Sequence, residues 1–389
     1  MVTFNPTDSA FIENPFPFYA AGRAMSPLFL PNPGIWLVFG YNDVTAILKD
    51  NQTWSSQFIP PPGMEPPPPS MLQSDPPRHS RLRGLVSQAF TPRMIEQLEP
   101  RIRAIAGQLL DEVVPGGQAD IVDALAYPLP VIVIAEILGV PAEDRADFKR
   151  WSQAAVATLG TGLTGSDREL PLETFEEMRG YLGAMADERR AHPKHDLISG
   201  LVAAEVDGTK LNMDELLQML ILLLVAGNET TTNLIGNAII EFMNYPDQLQ
   251  RVLDNPALLP TAIEEVLRFS SPVQTTVRRA TRDVEIGGKT VAAGQMALPW
   301  LAAANRDPDV FANPDTFDVG RTPNRHVSFG LGIHFCLGAP LARMEARIAL
   351  EAFLARVTDF HRSGSEPLPR VPTFIMRGVR SLPIAFAPR

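Results

Sequence analysis

Cys336 is the only cysteine among the 389 residues of the chain. It lies in a glycine-spaced segment, FGLGIHFCLG, at residues 329–338. Apolar or small residues then recur at three- and four-residue steps, which predicts a helix over residues 337–357. A thiol at a helix N-terminus lies near unpaired amide N–H groups and the positive end of the dipole, and both lower its pKa. The pattern indicates a metal-binding thiolate, with a buried structural cysteine as the alternative.

The presence of a single cysteine limits the kinds of metal site that Cys336 can form. A lone cysteine cannot form an internal disulfide, a structural zinc site of several cysteines or an iron–sulfur cluster. One thiolate suits one axial position on a haem iron. A dinucleotide-binding loop is excluded as well, since its third glycine would stand at 335, where the chain has Phe335.

The segment at 329–338 resembles the haem-binding loop of the cytochrome P-450 family, Phe-Gly-x-Gly-x-His-x-Cys-x-Gly, at every defined position. The resemblance implies a single domain over residues 1–389, mainly α with minor β. It places haem b between a long distal helix and the helix that follows the cysteine loop. In this interpretation Cys336 binds the iron, and Phe329, Gly330 and Gly338 belong to the cofactor-binding loop.

A second polar segment, Ala226-Gly227-Asn228-Glu229-Thr230, interrupts an apolar helical pattern that begins at residue 213. Burying an acid beside a hydroxyl is costly, so the alternatives are a solvated helix face or a functional site. Gly227 weakens a helix by about 1 kcal/mol relative to Ala, and Thr230 can bond a carbonyl four residues back. The segment resembles the family's distal helix, which implies that Glu229 and Thr230 are the proton-delivery pair.

Glu265 and Arg268 are three residues apart and share one helix face. Such a pair is usually a surface salt bridge of small value. It matches the family's Glu-x-x-Arg signature, which implies a buried, structural role near the haem loop.

Haem carries two propionates, and arginine is well suited to bind carboxylates. By resemblance, His79 and Arg83, four residues apart, are one propionate-binding pair, and Arg278 and His334 are two further ligands. Arg279 could serve in place of Arg278. The resemblance also implies substrate contacts that are mostly apolar, and hence a hydrophobic substrate; they are Leu222, Val225, Ala226, Gln274, Thr275, Ile375 and Met376.

The family implies a monooxygenase that inserts one oxygen atom of dioxygen into an organic substrate. The sequence has no flavin or nicotinamide fingerprint, so the electrons are expected from a ferredoxin- or flavodoxin-type partner with its reductase. Arg343, Arg347 and Arg325 are expected to contribute to its docking face. The alternatives are a haem-thiolate peroxygenase or coupling enzyme and, outside enzymes, a haem-based gas sensor or carrier.

The composition suits a cytoplasmic globular protein. Hydrophobic residues make up 45% of the chain, and the net charge of −10 without a basic run argues against nucleic acid and anionic membranes as partners. The N-terminus has no signal-peptide pattern. The longest apolar stretch, residues 216–226, is shorter than the ~20 residues of a membrane span and predicts a core helix.

A proline cluster at residues 60–69 predicts an ordered loop, with Phe58, Ile59 and Met64 available either to close over a pocket or to cover the surface.

Periodicity predicts far more helix than strand. The helical patterns cover residues 42–50, 79–89, 93–114, 129–138, 143–159, 172–191, 213–241, 246–254, 262–269 and 337–357. The strand patterns cover residues 35–39, 284–286, 296–298 and 381–387.

Overall fold

A computed structural model describes residues 8–31, 34–57, 70–157 and 172–389. The proline cluster at residues 60–69, with Phe58, Ile59 and Met64, lies outside the described residues. Helices dominate the described residues, as predicted. They are α1 Ser9–Glu13, α2 Phe16–Met25, α3 Tyr41–Lys49, α4 Arg78–Ala89, α5 Pro92–Val113, α6 Pro128–Leu138, α7 Arg145–Ala157, α8 Leu172–Ala191, α9 Leu197–Ala203, α10 Met213–Asn244, α11 Pro246–Asp254, α12 Leu259–Phe269, α13 Leu301–Ala304 and α14 Ala339–Arg356.

The strands are short, and six of these ten lie after α12. They are β1 Leu28–Leu30, β2 Ile35–Val38, β3 Trp54–Ser55, β4 Gln118–Asp120, β5 Arg278–Ala280, β6 Val284–Ile286, β7 Lys289–Val291, β8 Met296–Pro299, β9 Val357–Arg362 and β10 Pro383–Pro388. A five-stranded sheet has the order β1-β2-β8-β5-β3, a three-stranded sheet the order β4-β10-β9, and β6 and β7 form a hairpin.

The five-stranded sheet supports the segment that contains the cysteine. Strands β2 and β8 run parallel, with Trp36 opposite Ala297, and β5 pairs antiparallel with β8. One apolar cluster covers this sheet and includes Trp36, Val38 and Ala280. Leu331, from the glycine-spaced loop, packs against the same cluster. The loop therefore rests on a sheet core that is assembled from segments distant in sequence.

The chain divides into two compact units that alternate along the sequence. The first unit contains Met1–Ser55, Arg101–Leu129 and Thr230–Arg389, and the second contains Ser56–Pro100 and Pro130–Glu229. The first holds the sheets, the cysteine loop and α12 to α14, whereas the second is mainly helical. Neither unit is a continuous stretch of chain, so the units are not successive domains.

Helix α10 is long and apolar enough, by length and composition, to cross a membrane. It has 32 residues, because the helix continues well beyond the apolar stretch at 216–226. Asn228, Asn233, Asn237 and Glu241 are nevertheless buried on it. Asn237 donates from Nδ2 to the carbonyl oxygens of Ser270 (2.9 Å) and Arg377 (3.1 Å). Buried amides that bond to neighbouring loops identify a core helix of a folded protein.

The Glu265–Arg268 pair on α12 is fully buried. Arg268 donates to both carboxylate oxygens of Glu265, each at 2.8 Å. Its guanidinium also donates to three backbone carbonyls, those of Asn305 (3.0 Å), Pro314 (2.7 Å) and Thr316 (3.1 Å). Arg321 donates to Glu265 at 3.0 Å from the same irregular segment. The pair therefore organises residues 305–321, which have little regular structure to satisfy their backbone groups.

We expect Arg268→Ala to destabilise the protein by about 3–5 kcal/mol, because the buried Glu265 carboxylate loses its two-nitrogen partner and the Asn305 and Pro314 carbonyls lose the guanidinium that donates to them. Arg251→Ala is the matched control, since the Arg251–Asp318 ion pair is half exposed; its cost should stay under ~1 kcal/mol. Thermal unfolding of the two purified variants measures the difference. Equal melting temperatures would show that the buried network does not support the fold.

Glu345, on α14, is a buried acid whose pKa burial raises from 4.5 to about 8. The folded state therefore favours the neutral carboxyl. The stabilisation from a raised carboxyl pKa is fully present below about pH 4.5 and is lost as the pH rises towards 8. The loss amounts to up to about 5 kcal/mol.

We expect Glu345→Gln to remove much of the fall in melting temperature between pH 5 and pH 8, because the amide is neutral throughout. Glu112→Gln, on the exposed surface of α5, should leave the wild-type pH profile unchanged. Melting temperature measured against pH for the three proteins gives the comparison. A Glu345→Gln profile parallel to that of the wild type would contradict the buried-acid assignment.

Candidate functional site

The structure places Cys336 just before the N-terminus of α14, as the sequence predicts. The N-cap of this helix is Gly338, and Pro340 lies in its first turn. The side chain of Cys336 is half-buried. Its backbone N–H donates to the carbonyl of Phe329 at 2.9 Å, which closes the loop at its base. The thiol therefore lies near the positive end of an 18-residue helix.

The loop needs glycine where it turns against α3. Gly332 has a φ of +69°, in the left-handed region. A Cβ on it would lie 2.7 Å from the carbonyl oxygen of Leu48. The chain then makes a single turn, Gly332–His334, before Cys336. Phe335 is 40% exposed.

Buried side chains hold the base of the loop, and Asn305 is the central one. Its Oδ1 accepts the Val327 N–H at 2.7 Å, and its Nδ2 donates to the hydroxyls of Ser271 (2.9 Å) and Ser328 (2.8 Å). The Ser328 hydroxyl donates to the carbonyl of Leu267 on α12 at 2.6 Å. Asn305 was not among the predicted site residues, and its anchoring role follows from these contacts.

Two of the predicted propionate ligands lie in the first unit. Arg278 is buried on β5 and donates to the Thr276 hydroxyl (3.3 Å) and the Val277 carbonyl (2.8 Å). Arg279 points to the opposite face, because side chains alternate along a strand, and it is less buried. His334 is half-buried in the turn before Cys336.

The other two predicted propionate ligands lie on α4 in the second unit. His79 is buried in the first turn of this helix. Arg83 is half-buried one turn later. Their four-residue separation places both on one face of α4, as the sequence predicts.

The burial of helix α10 changes around the predicted proton-delivery pair. Glu229 and Thr230 are half-buried, as are the predicted substrate contacts Leu222 and Val225, and Ala226 is exposed. Residues 231–242 are buried without a break. The helix runs through Gly227 as one element. The segment that carries the candidate chemistry is therefore the less buried part of a long helix.

The predicted substrate contacts of the first unit lie on two segments that pair with each other. The Gln274 N–H donates to the Ile375 carbonyl at 2.7 Å, and Val273 bridges Met376. Ile375 is half-buried and Met376 is buried. The structure thus brings residues 273–275 next to residues 375–376.

The polar side chains of Gln274 and Thr275 are engaged inside the first unit. Gln274 accepts the Tyr19 hydroxyl at 2.6 Å and donates to the Ser271 carbonyl. The Thr275 hydroxyl donates to the Pro299 carbonyl at 3.0 Å. Both residues are at most 2% exposed. These bonds hold the segment in place, and substrate contact by either side chain remains a prediction.

Sequence reasoning missed an ionic cluster beside the loop. Arg343 donates to both carboxylate oxygens of Glu264, at 2.6 Å and 2.8 Å, and His326 lies 2.9 Å from the same carboxylate. Arg347 pairs with Glu351 at 3.1 Å. Two of the three arginines expected at a docking face are therefore already in ion pairs, whereas Arg325 is exposed.

Known proteins resemble this chain over nearly its whole length. The family profile described as Cytochrome P450 matches residues 172–380. The polyketide biosynthesis cytochrome P450 PksS of Bacillus subtilis is 39% identical, over 99% of this chain and 98% of the relative.

Solved structures share the fold closely. Cytochrome P450 CYP109Q5 from Chondromyces apiculatus has a TM-score of 0.90 and 42% identity, with 98% of each chain covered. CYP109E1 from Bacillus megaterium, solved in complex with testosterone, has a TM-score of 0.87 and 40% identity, with 96% of this chain and 99% of that chain covered. Identity at this level over whole chains reflects common family membership as well as a common fold.

Proposed function

Because the chain belongs to the cytochrome P450 family and is therefore a haem-dependent monooxygenase, we propose that Cys336 is the residue that binds the haem iron. The observation that carries this proposal is the position of the sole cysteine, half-buried and just before the N-terminus of α14. The helix end favours the thiolate over the thiol.

The residues around Cys336 fit a haem thiolate. A haem iron needs a single protein thiolate, because the porphyrin supplies four nitrogen ligands. A Cβ on Gly338 would meet the Cys336 sulfur at 4.0 Å, so glycine keeps this position free of side-chain atoms beside the sulfur. The absence of a side chain there suits the close approach of a flat cofactor. Phe329 and Gly330 complete the loop in this proposal.

The propionate carboxylates are bound by His79, Arg83, Arg278 and His334. Burial favours Arg278 over Arg279, since a buried guanidinium is best retained where it meets an anion. The four-residue spacing of His79 and Arg83 on α4 supports their action as a pair.

Bound haem supplies the chemistry that activates dioxygen. The proposed work of the chain is to move protons: the Thr230 hydroxyl holds and donates a proton, and the Glu229 side chain, in its protonated carboxyl form, replenishes it. Their place on the less buried part of α10 supports this assignment, because a proton donor must reach its acceptor directly or through a water.

The substrate is a hydrophobic organic molecule, and we propose one of about steroid or polyketide size. The relative solved with testosterone and the relative named for polyketide biosynthesis support this size range. The predicted contacts are mostly apolar, which suits such a molecule; they are Leu222, Val225, Ala226, Ile375 and Met376, with Gln274 and Thr275 as the polar members.

A ferredoxin- or flavodoxin-type protein with its reductase delivers the electrons in this proposal. The exposed side chains beside the cysteine loop support a docking face made of Phe335, Lys49 and Arg325. Lys49 ends α3, which contacts the loop at Gly332. Such a face would attract an acidic partner. We also propose a cytoplasmic location and a single functional domain over residues 1–389.

We expect the reduced carbon monoxide complex of the wild type to show the strongly red-shifted absorption of thiolate ligation. Cys336→His should abolish the shift, because imidazole then replaces the thiolate. Glu351→Gln, further along the same helix, is the control and should keep the shift. An unshifted wild-type spectrum would overturn the assignment of Cys336.

We expect Thr230→Ala to bind haem and substrate but to release reducing equivalents as peroxide or water, because the proton-donating hydroxyl is lost. Thr230→Ser keeps the hydroxyl and should couple reductant to product like the wild type. Glu229→Gln should slow turnover by about 10²- to 10⁴-fold. Product formed per reductant consumed is the measurement, and an unchanged ratio in Thr230→Ala would leave this threonine a structural role.

The same assay separates the rival functions. Turnover that requires reductant and redox partners supports the monooxygenase, whereas turnover with peroxide alone indicates a peroxygenase. Dioxygen binding without product from any hydrophobic substrate tested would indicate a sensor or carrier.

A further inference from the structure

Glu264 lies at the centre of an ionic cluster beside the cysteine loop. Arg343 binds its carboxylate through two nitrogens, Nε at 2.6 Å and a terminal nitrogen at 2.8 Å. His326 Nε2 lies 2.9 Å from the same carboxylate. The Ser328 N–H donates to His326 Nδ1 at 3.3 Å, so Nε2 carries the proton and donates to Glu264. One carboxylate thus fixes a guanidinium and an imidazole.

The side chains of Arg343 and His326 both lie next to the Phe329 ring. The Arg343 guanidinium carbon lies 4.5 Å from the centre of the Phe329 ring, a cation–π distance. The His326 ring centre is 6.2 Å from it. Phe329 in turn accepts the Cys336 N–H through its carbonyl. A continuous set of contacts therefore leads from Glu264 through Arg343 and Phe329 to the backbone of Cys336.

The negative charge of Glu264 balances the positive charge of Arg343 in this cluster. Burial alone would raise the pKa of Glu264, but hydrogen bonds from Arg343 and His326 outweigh burial and lower it to about 2. The carboxylate is therefore ionised at neutral pH. The pKa of Arg343 is raised chiefly by the Glu264 hydrogen bond, with a further contribution from the charge of Cys336. The guanidinium lies against Phe329, whose carbonyl accepts the Cys336 N–H, and Glu264 compensates its charge there.

We propose that Glu264 is a positioning residue for the thiolate, holding Arg343 against Phe329 and cancelling the charge of Arg343 near the Cys336 sulfur. The inference rests on the proposed iron ligation by Cys336. A positive charge beside the thiolate stabilises the reduced haem, which carries one more negative charge. Glu264 therefore keeps the reduction potential lower than an uncompensated Arg343 would allow. In this assignment Arg343 serves the thiolate rather than the redox partner.

The test is a double-mutant cycle on the haem-loaded enzyme, with the reduction potential measured by spectroelectrochemical titration. Glu264→Gln leaves Arg343 uncompensated and should favour the reduced state about tenfold, a positive shift of about 59 mV for one electron. Arg343→Gln should shift the potential in the negative direction. The double variant should return close to the wild type. Glu351→Gln, which breaks the Arg347–Glu351 pair on the same helix, is the matched control and should not move the potential.

The conservative variant Glu264→Asp keeps the negative charge and should hold the wild-type potential, even where its melting temperature falls. A Glu264→Asp shift as large as that of Glu264→Gln would overturn the proposal, because charge would then not be the cause. Lower melting temperatures with unchanged potentials in both Glu264→Gln and Arg343→Gln would also overturn it and leave the cluster a purely structural role. A wild-type carbon monoxide complex without the thiolate absorption would instead refute Cys336 as the ligand, which is a separate result.

Discussion

The proposed thiolate ligand, Cys336, lies in a loop that has almost no regular structure, and the need to hold this loop in place shapes the first unit. The backbone groups of such a loop cannot bond to one another in a ladder, so other groups must satisfy them. Asn305 does this at the base of the loop, and Ser328 ties the base to α12. The cysteine is therefore positioned by buried hydrogen bonds from outside its own segment.

About one and a half turns of helix α12 provide much of that support. Glu265 and Arg268 face the irregular segment at 305–321, where Arg268 donates to backbone carbonyls and Glu265 accepts the Asp318 N–H. Glu264, one residue earlier, points to a different side of the helix and binds Arg343 and His326. Adjacent residues on a helix project about 100° apart, so two neighbouring glutamates serve two different structures. One fixes the fold of the segment that precedes the loop, and the other balances charge beside the loop.

The sequence predicted those elements whose structure follows from local periodicity. The periodic helices at 172–191 and 246–254 were predicted to the residue, and others ended within a few residues of the prediction. Six strands were missed, namely β1, β3, β4, β5, β7 and β9. All but β9 have only two or three residues, which show no periodicity, and β3 and β5 pair with each other from positions far apart in sequence. Helices α1, α2, α9 and α13 were missed as well, and the prolines at 15 and 17 concealed the start of α2. The predicted strand at 381–387 begins two residues later, at Pro383.

The prediction of the site was also limited to features that have a local sequence signal. The place of Cys336 before a helix was confirmed, because motif and helix are contiguous. The bonds from Glu264 to residues 62 and 79 positions away have no local signal. Arg343 looked like a free surface cation in the sequence, and only the fold shows its partner. A charged residue near a motif is thus ambiguous until the residues opposite it are known.

Helix α10, which carries the proposed proton-delivery pair, shows why hydropathy alone misjudges a helix of this kind. Its composition suits a lipid environment, yet the Asn237 amide bonds to Ser270 and Arg377, and the Ser270 hydroxyl bonds to Glu241. These bonds fix the buried end of the helix against the segments that hold the predicted substrate contacts at 273–275 and 375–376. Thr230 lies just before that buried end. A hydroxyl on a helix so firmly held can keep one position while the groups around it exchange protons, which is what proton delivery requires.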